Sequence, residues 1–302
     1  MNLKKLEAFM MVVEKNSFSE AAAALKSSQP SVSLKIKSLE DELGFELLDR
    51  GAAGIRPTPA GMVVYTAAKD IANRWRTLED ELGEFKGTLT GTLTIGASTI
   101  PGTYLLPVWV KNFRSLFPKV DVKIEIGDSK KVLEKLQNHQ IDAAIIGMKV
   151  ESRLLKSNSV AVDSLVLVTP EDHPLVHTAS ADFMQIQQYD FVLREEGSGT
   201  RKMMERYLAE KGLSLEDLKV AVSIGSTESV IAAVEAGLGI SFISKLAAMP
   251  AERAGRIKIV DTFEPYERAF YLVTHIDAEN RPMIRQFSET VDAKAKMPDS
   301  KR

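Results

Sequence analysis

The 302-residue sequence contains no cysteine. That excludes disulfides and thiol catalysis and fits a reducing compartment. The four histidines, His139, His173, His177 and His275, form no HExxH and no zinc set. His173 and His177 are four apart, but Pro174 between them predicts a loop and not a rigid helical pair. There is no GxSxG elbow and no Walker sequence. "GLGISFI" lacks the third glycine of a dinucleotide fingerprint and follows a helical segment, so Gly237 and Gly239 predict a helix end feeding a strand. No apolar run approaches about 18 residues, so no membrane span is expected. The first apolar stretch, 8–13, is short, runs into Glu14 and Lys15 and lacks a small-residue cleavage site; no signal peptide is expected. An excess of one charge is missing too. Lys and Arg number 39 against 41 Asp and Glu, so any basic surface must be local. These absences predict a cytoplasmic protein with no visible catalytic machinery, no metal and no resident cofactor.

What is present is ordinary globular composition, 44% apolar and 26% charged, in a chain long enough for two or three compact units. Residues 3–43 read as three helices. Leu3, Leu6, Met10 and Val13 form a stripe at helical spacing. Ser17 with Glu20 reads as a capping box opening the alanine-rich "EAAAAL". Ser28 reads as the N-cap of a third helix that tolerates Pro30 in its first turn, faces Val32, Ile36, Leu39 and Leu43 inward and ends at Gly44. "FELLDRGAAGIRP" predicts a hairpin-like wing with Arg50 and Arg56 on its two arms. Thr58-Pro59 then opens a helix reaching about residue 85. Its apolar positions, Val64, Ala68, Ile71, Trp75, Leu78, Leu82 and Phe85, alternate steps of four and three. That is a heptad seam, which predicts dimerisation more strongly than internal packing. At about 1.5 Å per residue the helix spans roughly 40 Å.

After the Gly/Thr-rich "KGTLTGTLTIGAS", strand-like segments (93–95, 120–126, 143–146, 164–169, 191–193, 220–224, 240–243, 270–274) alternate with helical ones (105–117, 130–139, after Gly199, after Ser226, 282–291). The pattern predicts an α/β unit with a largely parallel sheet and an unpatterned tail, 293–302.

A three-helix unit with a short second turn, a basic wing and a dimerising helix is helix-turn-helix geometry, in which the second helix of the pair enters the major groove by its N-terminal end. Gln29 is placed to reach adenine, Ser28, Ser31 and Ser33 to reach several bases, and Pro30 to touch thymine methyls. Lys35, Lys37, Arg50 and Arg56 would neutralise phosphates. The same residues also read as a solvated helix face behind an ordinary N-cap. "SFSEAAAALKSSQPSVSLKIKSLEDELGFELLDR" followed by "RPTPAG" resembles the N-terminal signature of LysR-type transcriptional regulators, densely over residues 3–61. Leu34 stands on the DNA-facing stretch where many members carry arginine.

The resemblance continues more loosely over the rest of the chain. It implies an N-terminal all-α winged helix-turn-helix (1–58), a linker and dimerisation helix (59–87), and a C-terminal α/β two-lobed effector domain of periplasmic-binding-protein type. Lobe I would be 88–163 with 266–292, lobe II 164–265, with two crossover strands as hinge. Implied partners are double-stranded promoter DNA, a small-molecule effector, a homodimer assembling into a homotetramer, and RNA polymerase as a further candidate. The heptad seam itself supports only the dimer.

Three segments share the form strand, small hydroxyl or glycine, helix: Ser98, Thr99 and Thr103; Ser198, Gly199, Thr200 and Arg201; and Ser226, Thr227 and Glu228. Helix N-termini offer unpaired N–H groups and positive dipole ends, and ligands of α/β sheets bind beyond the carboxyl ends of strands. A carboxylate, sulfate or phosphate group would suit them. The bland alternatives are serine caps and an Arg201 paired with Glu195 or Glu205. "EEGSGTR" also resembles LysR-type regulators of sulfur assimilation and carbon fixation, which sense small anionic metabolites. The rival reading is an enzyme or a solute-binding protein that uses the α/β lobes to bind a small carboxylate or oxyanion.

Overall fold

A computed structural model describes residues 2–51, 54–85, 88–178, 182–260, 266–278 and 281–295, leaving out the side chains of Arg50 and of 293–295. The chain divides into two compact units, 1–86 and 87–302.

The first unit contains α1 (Leu3–Lys15), α2 (Phe18–Ala24), α3 (Gln29–Leu43), a hairpin of β1 (Leu48–Gly51) and β2 (Gly54–Pro57), and α4 (Pro59–Phe85). The start signals act as their chemistry dictates. Asn2, Ser17, Ser28 and Thr58 each accept a first-turn N–H, from Lys4, Glu20, Ser31 and Gly61 respectively. The inward stripe closes one core, with Phe9, Val12, Val32, Ile36, Leu39 and Leu47 fully buried, whereas Leu3 and Leu43, at the helix ends, are exposed and lie outside it. Each large apolar side chain buried there contributes about 1.5–3 kcal/mol. The glycine of "TPAG" has a steric reason. A Cβ on Gly61 would stand 2.0 Å from the carbonyl oxygen of Leu47, so α4 can lie against the chain leading into the wing only without one.

The second unit contains β3 (Gly91–Ser98), α5 (Thr99–Tyr104), α6 (Leu106–Leu116), β4 (Val120–Gly127), α7 (Ser129–Gln137), β5 (Ala143–Ile146), β6 (Leu155–Thr169), α8 (Phe183–Ile186), β7 (Asp190–Arg194), α9 (Gly199–Glu210), β8 (Lys219–Ile224), α10 (Thr227–Glu235), β9 (Ser241–Ser244), α11 (Lys245–Arg253), β10 (Lys258–Val260), β11 (Tyr266–His275) and α12 (Pro282–Ala295). Seven strands form one sheet in the order β10-β6-β11-β5-β3-β4, with β9 also on β6; β7 and β8 form a parallel pair.

The expected largely parallel sheet is corrected. Only β3–β4 and β3–β5 are parallel within the large sheet, whereas β6 and β11 run antiparallel to their neighbours. The helical grammar describes the crossovers on β3, β4 and β5. It does not describe β6, a 15-residue strand that β11 meets from much later in the chain. The helix expected over 105–117 is α6, with Pro107 in its first turn, and the short α5 precedes it. The closing helix runs on to Ala295, beyond the expected start of the tail; 296–302 lie outside the described residues. At Gly237 the backbone is left-handed directly after α10, as a helix end requires.

One core of this unit joins Ile95, Leu106, Phe113, Phe270 and Phe287; another joins Phe191, Met204, Tyr207 and Phe242. Arg281, before α12, donates to Asp142 at 2.6 Å, with both side chains buried. No helix among the described residues is long and apolar enough to cross a membrane.

Candidate functional site

In the first unit, α3 divides its residues by face. Val32, Ile36 and Leu39 are buried, while Ser28, Gln29, Pro30, Leu34 and Lys37 are exposed and Ser31, Ser33 and Lys35 are half-buried. Oε1 of Gln29 accepts from the Ser19 hydroxyl at 3.1 Å, so α2 orients the amide while its NH2 stays available. Leu34 is 70% exposed, the apolar exception on a polar face. Arg56 is exposed on β2 opposite Asp49; the side chain of Arg50 lies outside the described residues.

The heptad seam of α4 has two fates. Val64, Ala68 and Ile71 pack into the core of their own unit, and Ala68 is fully covered by it. Trp75, Leu78, Leu82 and Phe85 are exposed, Phe85 at 91%. The unpacked stripe is therefore the C-terminal half. Beside the packed half, Tyr65 donates to Glu14 at 3.2 Å and Lys69 lies over the Tyr65 ring. Burial, then Glu14, pushes the Tyr65 phenol up.

In the second unit the three predicted segments do not behave alike. Ser98 makes no side-chain cap; its hydroxyl points toward the Ile145 carbonyl at 3.5 Å. Ser198 and Ser226 do cap α9 and α10, through the N–H groups of Arg201 and Ser229. Thr99 is half-buried and Thr103 exposed. Thr200 and Thr227 are each 3% exposed. Arg201 makes the pairing that the bland reading allowed: Nε donates to Glu205 at 3.0 Å and Nη1 to the Arg194 carbonyl at 3.2 Å. Glu228 accepts from Tyr104 at 2.5 Å, which joins the end of α5 to the start of α10.

Two arginines that the sequence did not single out organise these loops. Arg194, buried at the end of β7, donates to Thr227 at 2.6 Å, chelates Glu195 at 2.9 and 2.8 Å and reaches the Gly225 carbonyl at 3.4 Å. Burial pushes the Glu195 carboxyl up, but Arg194 outweighs it and the group lies below the usual carboxylate range. Arg268 on β11 donates twice to Asp163, at 3.1 and 2.8 Å, and lies 4.8 Å over the Phe270 ring. A Cβ on Gly147 would stand 3.9 Å from its Cδ and one on Gly199 3.8 Å from its Nη1. The loop after β5 and the start of α9 therefore meet at Arg268. Arg194 had a faint signal, a charge closing the apolar "FVL"; Arg268 had none, because Asp163 lies 105 residues away.

Electrostatically these loops suit an anion, with orphan N–H groups at the starts of α9 and α10 and three arginines, each beside a single carboxylate partner. His173 caps a turn at Pro174–His177, accepting from the Leu175 N–H at 3.3 Å, and burial pushes its imidazole down. Among the described residues no group of three His, Cys, Asp or Glu is arranged to hold a metal ion.

Comparison with known proteins follows the same division. Residues 3–62 match the family model "Bacterial regulatory helix-turn-helix protein, lysR family", and residues 86–296 match "LysR substrate binding domain". The chain is 34% identical over 289 residues to an uncharacterized HTH-type transcriptional regulator of Methanocaldococcus jannaschii, covering 94% of this chain and 96% of that one. It is 31% identical to the HTH-type transcriptional regulator CbbR of Sinorhizobium medicae (96% and 92% covered). To the RuBisCO operon transcriptional regulator of Allochromatium vinosum it is 30% identical (97% and 96% covered). Among solved structures, a full-length OxyR variant of Pseudomonas aeruginosa shares the fold at TM-score 0.76 and 22% identity, covering 99% of this chain and 96% of that one. Full-length CbnR, solved with its target DNA, gives 0.65 at 19% identity (98% and 100% covered). The regulatory domain of CcmR of Synechocystis PCC6803, solved in complex with 2-PG, gives 0.62 at 22% identity (68% and 98% covered).

Proposed function

The chain belongs to the LysR family of bacterial transcriptional regulators, and on that premise we propose which residues read DNA and which hold the effector. It is a DNA-binding regulator with an effector-binding domain. In this reading Gln29, with Ser28, Pro30, Ser31, Ser33 and Leu34, approaches base edges, while Lys35, Lys37, Arg50 and Arg56 hold phosphates. The observation that carries the reading is the division of α3, with short polar side chains outward over buried Val32, Ile36 and Leu39. Two chains pair through Trp75, Leu78, Leu82 and Phe85; the likeness to the family extends this to a homotetramer and to contact with RNA polymerase. A promoter as partner sets the protein in the cytoplasm.

The effector is a small organic anion held by Ser98, Thr99, Thr103, Ser198, Gly199, Thr200, Arg201 and Thr227. It lies between a lobe of 88–163 with 266–292 and a lobe of 164–265. The orphan N–H groups and arginines of these loops support an anion, as does the 2-PG bound by CcmR. Effector binding shifts the balance between lobe arrangements, and α4 carries that shift to the DNA-reading unit. We assign no enzymatic activity; that the relatives are named regulators supports this reading over an enzyme or a solute-binding protein. The test is a gel shift on DNA upstream of the protein's own gene over a salt series. Affinity should fall linearly in log–log form and exceed that for scrambled DNA; equal affinity for both sinks the DNA assignment.

A further inference from the structure

We propose that Arg268 is the residue on which the effector's anionic group lands, and that Asp163 is the internal carboxylate it displaces. The proposal rests on the assignment of the effector to the loop that starts α9, and it adds the charge partner and the switch.

Arg268 and Asp163 stand directly opposite one another on β11 and β6. The Asp163 side chain is wholly buried and that of Arg268 is 12% exposed. Both donors that Arg268 gives to Asp163, Nε and Nη2, go to the same oxygen, Oδ2. The third nitrogen, Nη1, has no partner among the described residues and is turned toward Gly199, the first residue of α9. An oxyanion at this helix start meets three kinds of donor at once: Nη1, the unpaired first-turn N–H groups, and the hydroxyl of Thr200. Thr200 is 3% exposed and its hydroxyl has no hydrogen-bond partner among the described residues. That unpartnered hydroxyl, on an otherwise buried residue, separates this helix start from α10, where the Thr227 hydroxyl is taken by Arg194.

Asp163 is built to release its arginine. Its other oxygen accepts from the Ser244 hydroxyl at 2.8 Å and from the Leu246 N–H at 3.4 Å, so it keeps hydrogen bonds if Arg268 turns toward a ligand. Phe270 under the guanidinium gives that turn a flat surface. The exchange alters the cross-link between β6 and β11, the two strands with the longest pairing in the sheet. Arg201 and Arg194 are less suited to the role. Each is anchored to a neighbouring glutamate and to backbone carbonyls.

The experiment uses the full chain and three probes, inorganic phosphate, sulfate and 2-PG. Thermal unfolding midpoints are read against sodium chloride of equal ionic strength, and Kd is taken from the dependence on probe concentration. At least one probe is expected to stabilise the protein. Arg268→Met should raise that Kd roughly tenfold or more, the scale of losing a charged hydrogen bond. Asp163→Asn should lower it, because the internal competitor is gone. Wild-type Kd in Arg268→Met, or no tightening in Asp163→Asn, overturns the proposal. If Arg268→Met fails to fold, the Asp163→Asn result decides alone. Loss of binding in Thr200→Ala with retention in Arg268→Met leaves the anion at α9 and removes only Arg268. Unchanged Kd in both, or no stabilisation of the wild type by any probe, removes the site assignment as well.

Discussion

Arg194 and Thr227, 33 residues apart in sequence, meet at 2.6 Å, with the guanidinium Nη1 donating to the threonine Oγ1 inside the protein. The contact pins the end of β7 to the start of α10. Thr227→Val keeps the shape and removes the acceptor, leaving a buried charged donor unpaired. It should cost about 1–3 kcal/mol in chemical denaturation, with Thr227→Ser close to wild type. A Thr227→Val protein as stable as wild type would show that the pin carries no energy.

The two halves of the α4 stripe make opposite predictions. Leu78→Asp with Leu82→Asp, on the exposed half, should turn the dimer into monomer by sedimentation while leaving the helical content of the first unit intact. Ala68→Asp, on the covered half, should unfold that unit. Dimers that survive the first pair of changes would move the interface elsewhere.

Asp142 accepts from Arg281 at 2.6 Å and from the Thr94 N–H at 2.8 Å, with the Asp142 and Arg281 side chains both buried. Arg281→Met should destabilise by about 3–5 kcal/mol, because it removes the cation facing a buried carboxylate. Adding Asp142→Asn should recover a large part of that, since a neutral amide still accepts from Thr94. The comparison is read from denaturant midpoints of the two variants.

Glu195 gives a pH signature. Its folded value lies below the unfolded carboxylate value of 4.5. The stability it contributes is therefore fully present above 4.5 and is lost as pH falls through the lower folded value. The difference in thermal midpoint between wild type and Glu195→Gln should be constant near neutrality and shrink in acid. A difference that grows on acidification would reverse the sign of the Arg194–Glu195 interaction.

Local chemistry was legible in the sequence wherever partners lie close along the chain. The caps at Ser17, Ser28 and Thr58, the wing and the 3–4 spacing of α4 are written within a few residues of where they act. Long-range pairing was not. Nothing in "YERAFYLVTH" says that Arg268 will face Asp163, and the antiparallel course of β6 and β11 is invisible to a pattern of alternating strands and helices. The stripe of α4 was visible as a stripe, but its division could not be read, because the covered half lies against α1, far back in the chain.

The measurement closest to the central claim is the affinity of the full chain for its own upstream DNA at fixed ionic strength, with and without phosphate, sulfate or 2-PG. Coupled sites predict that at least one anion changes the DNA affinity saturably, by roughly 5–150-fold, and that Thr200→Ala removes the change without altering affinity in chloride. An affinity that none of the three anions moves beyond the chloride control would contradict the account.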